Sequence, residues 1–363
     1  MKAALIAFLV FVALSFPQVA AAKTTYHFED KEHPTTFEIS ATVRGYHLSD
    51  QRVQWSGMES VLGAEAALRA NVTREYPWGV TGIRSEFLIQ QPFGKRNLAL
   101  SDPHIKKYEP FFDVDTFEMS QLHLFISNSR TLAFTVGKIV TPFGRSEYPN
   151  LFHWRFDAPF IRSSEVILAR ETGILFSYTP GKFCFDVAVV NGEREKDTNS
   201  TKAIIARIGT GKGRDWEVGL SGKLHDGIGS EYDKTYNNHA GLDFKVRLHP
   251  RWILSGELIY DQYGYHQKKG EENSTISLYY REIYYNGEAI TGIGGYLDLG
   301  YRHDPWDIHV NYGEYHPKKI GNPYHDDPNK RLLVKTVYRI LPDIRLFATG
   351  MLENERYEEA WRK

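Results

Sequence analysis

The stretch RDWEVGLSGKLHD, residues 214–226, decides the fold. Trp216, Val218, Leu220 and Leu224 are apolar, and Glu217, Ser221, Lys223 and His225 lie between them. Side chains alternate across a β-strand, so period two marks a strand with two unlike faces. The next segment, HAGLDFKVRLHP (239–250), sets Leu242, Phe244, Val246 and Leu248 against Asp243, Lys245 and Arg247. Then RWILSGELIYDQ (251–262) sets Trp252, Leu254, Leu258 and Tyr260 against Glu257 and Asp261. WDIHVNYGEY and RLLVKTVYRI repeat the pattern, and after residue 35 no segment sustains helical periodicity.

About fifteen such segments begin near residues 36, 59, 79, 114, 130, 170, 182, 201, 215, 238, 251, 290, 305, 330 and 343. Alternation alone also suits a soluble sandwich, but the connections separate the two. Short turns (SNSR near 127, TPGK near 179, HPR near 249, HDPW near 303, LPD near 341) alternate with long polar stretches at 91–113, 141–169, 191–200, 226–237, 263–289 and 316–330. Turns at one end and long loops at the other are the pattern of an up-and-down outer-membrane β-barrel, with the turns periplasmic and the loops extracellular. The predicted fold class is therefore all-β, a transmembrane antiparallel barrel of about sixteen strands.

The aromatic residues fit that geometry, because Trp and Tyr favour the bilayer interface. Trp78, Trp216, Trp252, Trp306 and Tyr178 flank short turns and are predicted to form a periplasmic girdle; Tyr260, Tyr312 and Tyr315 are placed in the outer one. Fifteen is an odd count, and the fifteenth segment, DIRLFATGMLENE, runs outward with no strand after it. Either a strand lies in ISLYYREIYYNG, or a final strand is missing from the chain; the second reading is preferred.

The start, MKAALIAFLVFVALSFPQVAAAK, has a basic residue, a short apolar run and an Ala20-x-Ala22 site. That is the pattern of a signal peptide, residues 1–22, cleaved after Ala22. Residues 23–35 are assigned to a periplasmic segment and 36–363 to the barrel. The single cysteine, Cys184, excludes an internal disulfide and reads as a small apolar strand residue. A formal charge of -1 and a mean hydropathy of -0.43 give no nucleic-acid footprint.

The segments VGKIVTPFGRSEYPNLFHWRFDAPFIR (136–162) and ETGILFSYTPGKFCFDVAVVNGE (171–193), with the repeated strand-turn-strand units, resemble the phosphate-selective porin O/P-like superfamily of Gram-negative outer-membrane channels. The resemblance covers most of the mature chain as architecture and is sharpest over 136–208. It implies a sixteen-stranded barrel, a third extracellular loop folded into the pore, and passive diffusion of small hydrophilic solutes, anions such as phosphate among them. The lysine and arginine ladder of that family has no residue-by-residue match here. Porins of this general type often assemble as trimers, so a homotrimer embedded in outer-membrane lipid and lipopolysaccharide is the implied assembly.

If the apolar alternates face lipid, the others face a water-filled lumen that keeps them hydrated. The cations assigned to the wall include Arg44, Arg69, Arg84, Arg207, Lys223, Lys245, Arg247, Arg302, Lys335 and Arg339; the carboxylates include Glu65, Glu86, Glu217, Asp243, Glu257, Asp298 and Asp307. Their charges nearly cancel, which predicts no strong ion preference from net charge. Loop 141–169 is the predicted constriction, with Arg145, Arg155, Arg162 and Arg170 beside Glu147 and Asp157, and with Phe143 and Trp154 among its anchoring aromatics. Each arginine has an equal claim as an ion-pair partner.

No cofactor or metal is expected. YHDD (324–327) and His303-Asp304 lack a ligand set, GTGKGR lacks phosphate-loop spacing, and no nucleophile motif supports an enzyme. Two rival readings remain: a non-channel outer-membrane barrel acting as an adhesin or structural protein, and a secreted soluble β-protein.

Overall fold

A computed structural model describes residues 18–28, 32–48, 61–93, 117–128, 131–145, 170–192, 201–210, 215–225, 234–266, 274–278, 281–285, 290–318, 329–341 and 344–354. The wall is made of β1 (Gln18–Phe28), β2 (Thr35–Leu48), β3 (Val61–Tyr76), β4 (Gly79–Phe93), β5 (Phe117–Asn128), β6 (Leu132–Val140), β7 (Arg170–Tyr178) and β8 (Phe183–Val190). It continues through β9 (Ala203–Thr210), β10 (Trp216–Leu224), β11 (Lys234–His249) and β12 (Trp252–His266). A separate hairpin, β13 (Ser274–Leu278) with β14 (Arg281–Tyr285), precedes the last wall strands β15 (Ile290–His303), β16 (Trp306–Lys318), β17 (Asn329–Leu341) and β18 (Ile344–Asn354). Each wall strand pairs antiparallel with its neighbours, and β1 meets β18 to close a sixteen-stranded barrel.

The β1–β18 seam is three residue pairs long; around the rest of the wall the paired strands satisfy their backbone groups without water, as a hydrocarbon layer requires. All fifteen segments read from the sequence are strands of the wall. The sixteenth is neither of the two alternatives: the described residues of ISLYYREIYYNG belong to β13 and β14, which pair with each other in a separate two-stranded sheet, and β18 pairs with the N-terminal strand β1. That contact consists of Gln18↔Leu346, Val19↔Arg345 and Ala20↔Ile344. The boundary expected after Ala22 thus falls inside β1, and residues 23–28, the start of the segment 23–35 assigned to the periplasm, pair with β2. The run is apolar enough for a leader and small enough for a strand, which is why the sequence pattern alone reads only the former.

The outer face is apolar along successive strands. Leu124 (57% exposed), Ile204, Leu220 and Leu258 all project outward, and soluble proteins rarely leave so continuous an apolar belt in water. Trp78, Trp216, Trp252, Trp306 and Tyr178 are exposed beside the short turns, where Tyr76 stacks on Trp78 and Trp306 lies 4.6 Å from Tyr338 between ring centroids. Tyr260 and Tyr312 are exposed toward the other end. Tyr315 departs from its expected place: three residues beyond Tyr312 it falls on the opposite face, 3% exposed within an inner apolar cluster.

Candidate functional site: the lumen and the root of loop 141–169

Thr141 to Arg145 turn inward from the end of β6 instead of continuing beyond the wall. Phe143 is fully buried in a cluster with Ile139, Ala188, Val190, Ala203, Ile205 and Ile259. Its ring lies edge-on to His239, 5.9 Å between centroids, and against Gly241, where an added Cβ would come within 2.9 Å of Cζ. The missing side chain at Gly241 is what makes the socket. The next residues are tied to the far wall: the Gly144 amide donates to Ser221 Oγ at 2.9 Å, and the Arg145 amide donates to Glu257 Oε1. Arg145 Nη1 then donates to Glu217 Oε2 at 3.1 Å, and Lys245 approaches the other oxygen of Glu217 at 3.5 Å. An apolar plug against β11 and three polar ties to β10 and β12 therefore connect the end of β6 to the far wall, and Lys245 of β11 shares Glu217 with Arg145.

Further ion pairs line the same side. Arg207 donates Nε and Nη2 to Asp243 at 3.1 and 2.8 Å, and its Nη1 reaches Cys184 Sγ at 3.2 Å. Lys223 Nζ donates to Glu171 at 2.7 Å, with both side chains buried. Glu86 is a second hub, accepting from Arg69 Nε at 2.6 Å, Ser120 Oγ at 2.8 Å and Gln121 Nε2 at 3.0 Å, with Arg170 Nη2 at 3.5 Å. Ser120 reaches it because the β4–β5 register shifts at Glu86/Phe87, leaving Ser120 as the extra residue of a bulge that re-aims its hydroxyl.

The expectation that lumen charges are all hydrated is corrected here. Arg207, Lys223, Lys335, Glu86, Glu171, Glu217, Asp243 and Glu257 are buried. Burying a charge is costly unless it is paired and hydrogen-bonded; Arg207, Lys223 and the carboxylates have such partners. Lys245 is 19% exposed. Other cations remain at the water: Arg69 is half exposed, and Arg84 is exposed with Nε on Asn71 Oδ1 at 3.3 Å. Near the short-turn end Arg247, Arg302 and Arg339 are exposed beside Asp215, Asp307 and Asp304. Asp298 pairs with His309 at 2.9 Å.

Glu147, Arg155, Asp157 and Arg162 lie outside the described residues, as does the side chain of Arg44, whose backbone pairs with Glu65. Arg145 and Arg170 are both ion-paired. Sequence reasoning missed Gly241 and Ser120 and read Ser221 only as one of the inner-face alternates of β10; for the first two, only the glycine interrupting the inner-face pattern of β11 offered a signal. Cys184 was read as apolar, yet it touches a guanidinium because it faces inward beside Arg207.

No family model matches this chain, and no curated protein matches it. Solved structures share the fold at low identity. OmpF of Salmonella typhi, in a complex with daunomycin, is 7% identical with a TM-score of 0.64, over 93% of this chain and 96% of that one. An anion-selective porin from Comamonas acidovorans is 12% identical with a TM-score of 0.55, over 91% and 88%. OmpT of Vibrio cholerae, in a trimer form, is 13% identical with a TM-score of 0.53, over 93% and 87%. At such identities the likeness is one of fold: the chain has a porin-like transmembrane β-barrel.

Proposed function

We propose that the protein is an outer-membrane channel for passive diffusion of small hydrophilic solutes, with a preference for anions and no catalytic role. The observation that carries the preference is the sorting of charge on the inner wall. Glu86, Glu171, Glu217, Asp243 and Glu257 are each at most 4% exposed, whereas Arg69 and Arg84 face the water. Formal charge nearly cancels, but the field felt by a solute comes from the groups it can approach, and buried pairs act as compact dipoles. Arginine suits the task because it stays charged and presents several donors to phosphate or carboxylate.

The inward root at Phe143 and Arg145 supports loop 141–169 as the constriction, and the resemblance to phosphate-selective porins supports oxyanions among the solutes. A signal peptide removed near Ala22, an outer-membrane location in contact with lipopolysaccharide, and a homotrimer complete the reading. Reversal potential under a salt gradient in planar bilayers tests it: the channel should favour chloride over potassium, and a cation preference would overturn the charge argument.

One second reading has an observation behind it. The apolar cluster around Phe143 fills part of the lumen, as a non-channel barrel would. Liposome swelling with small sugars separates the two, because a plugged barrel gives none.

A further inference from the structure

On the inner wall, β3, β4 and β5 carry three polar side chains in one row. Asn71 pairs in register with Arg84, and Arg84 with His123. All three face the lumen, since Val72, Ile83, Leu122 and Leu124 beside them are the exposed outward residues. Arg84 Nε donates to Asn71 Oδ1 at 3.3 Å, which turns the guanidinium toward β3 and leaves Nη1 and Nη2 without a partner among the described residues. Glu86, the one carboxylate of β4, is buried and held by Arg69, Ser120 and Gln121 instead.

His123 leans the other way. Its Nδ1 lies 3.4 Å from the carbonyl oxygen of Lys138 on β6, where its register partner Gly137 has no side chain in the way. A carbonyl only accepts, so the proton of the neutral ring sits on Nδ1 and Nε2 is left as an acceptor. Phe125 lies alongside, its ring centroid 6.5 Å from that of the imidazole. It covers Gly82, where an added Cβ would come within 2.7 Å of Cζ. A cation with two spare donor groups, a neutral acceptor and an apolar ring therefore share one patch of the wall.

We propose that this patch is a station for a small hydroxycarboxylate, with the carboxylate on the Arg84 fork, the hydroxyl donating to His123 Nε2 and the carbon chain against Phe125. The proposal rests on the channel reading, because the solute arrives through the lumen, and it names the kind of anion. A guanidinium fork matches a planar carboxylate. Arg84 and His123 stand on strands about 4.8 Å apart and lean away from each other. That span is too wide for the oxygens of a single phosphate or sulfate, and it suits a carboxylate with a hydroxyl further along its chain. The acceptor at Nε2 sharpens the choice, since a second oxyanion brings it no proton and a hydroxyl does.

The test is isothermal titration of the detergent-solubilised full-length protein with β-hydroxybutyrate, butyrate and inorganic phosphate, at about pH 8, where an imidazole is ordinarily neutral. Wild type should bind β-hydroxybutyrate about fivefold to tenfold more tightly than butyrate, the worth of one hydrogen bond, and more tightly than phosphate. His123→Phe, which keeps a ring and removes the acceptor, should erase that difference, and His123→Gln, whose amide oxygen accepts, should keep part of it. Arg84→Gln should weaken both carboxylates about tenfold. Heat-modifiable gel mobility reports folding, and the comparison of ligands on wild type stands if a variant misfolds. Equal binding of β-hydroxybutyrate and butyrate by wild type, unequal binding of the two by folded His123→Phe, or tighter binding of phosphate would overturn the proposal. A barrel that shows this preference but conducts no ions would overturn the channel reading and leave the station standing. One that conducts anions without the preference would overturn the station alone.

Discussion

Arg145 and Glu217 meet across the lumen, Nη1 to Oε2 at 3.1 Å, although three strands of wall separate β6 from β10. The contact is a chord of the barrel and not part of its perimeter. Together with the Arg145 amide on Glu257, it sets the direction in which the chain leaves β6. A loop rooted this way enters the pore from its first residues.

Replacing Arg145 by Ala removes the side-chain chord while Glu217 keeps Lys245 and Glu257 keeps the amide. Losing one partner of a buried pair costs roughly 3–5 kcal/mol when nothing compensates, so Lys245 should hold the loss below that range. The loop root should loosen, giving larger and noisier single-channel currents than wild type. Currents identical to wild type would show that the pair does not restrain the loop.

Phe143 and Gly241 make the apolar half of the same anchor. Phe143→Ala should destabilise the barrel by roughly 3–5 kcal/mol, the usual range for a buried Phe. Gly241→Leu should evict the ring from the other side and change conductance in the same direction. Urea unfolding in vesicles reads the first, bilayer recording the second, and opposite conductance changes would break the socket argument.

The wall was legible in the sequence because a membrane barrel writes its two faces at period two, and Trp216 to Leu224 carries that signal with only Gly219 and Gly222 as gaps. The position of β1 was not, since AAA in Gln18–Phe28 serves equally as a cleavage site and as a strand. Nor was the fate of each charge legible. Arg84 and Arg207 look alike as inward alternates, but one points at water and the other at Asp243, and only the third dimension distinguishes them.

The two faces make unequal demands. Leu220 points outward near the middle of β10, so Leu220→Arg should cost roughly 2–4 kcal/mol, as a cation does at the bilayer midplane. Asn71→Asp, on the inner face of β3 opposite Arg84, puts a charge in the lumen while keeping an acceptor for that guanidinium, and should be nearly neutral. Folding yields into vesicles of defined thickness would measure both, and equal tolerance at the two sites would contradict the assigned facing.

Removal of residues 1–22 would take with it Gln18, Val19 and Ala20, the three residues of β1 that face β18. N-terminal sequencing of protein isolated from outer membranes should read Lys23, leaving Lys23–Phe28 paired with β2. Amide exchange at Ile344–Leu346 should then be faster in the mature protein than in the uncleaved chain. A mature N-terminus at or before Gln18 would refute the leader boundary and preserve the seam.

The charge-sorting argument makes its sharpest demand on three arginines of the same wall. Arg69→Gln, which sets no second carboxylate against Glu86, together with Arg84→Glu removes two water-facing cations, so reversal potential should move toward cation preference, and more so at low salt, where screening is weaker. Arg207→Glu changes formal charge by the same amount as Arg84→Glu but places a second carboxylate against buried Asp243. Its effect should appear as lost folding yield, because an uncompensated buried charge is expensive, and not as a shift in the selectivity of whatever barrel forms. If Arg207→Glu folds well and shifts reversal potential as strongly as the Arg69 and Arg84 pair, then burial does not sort these charges and the wall acts through its sum.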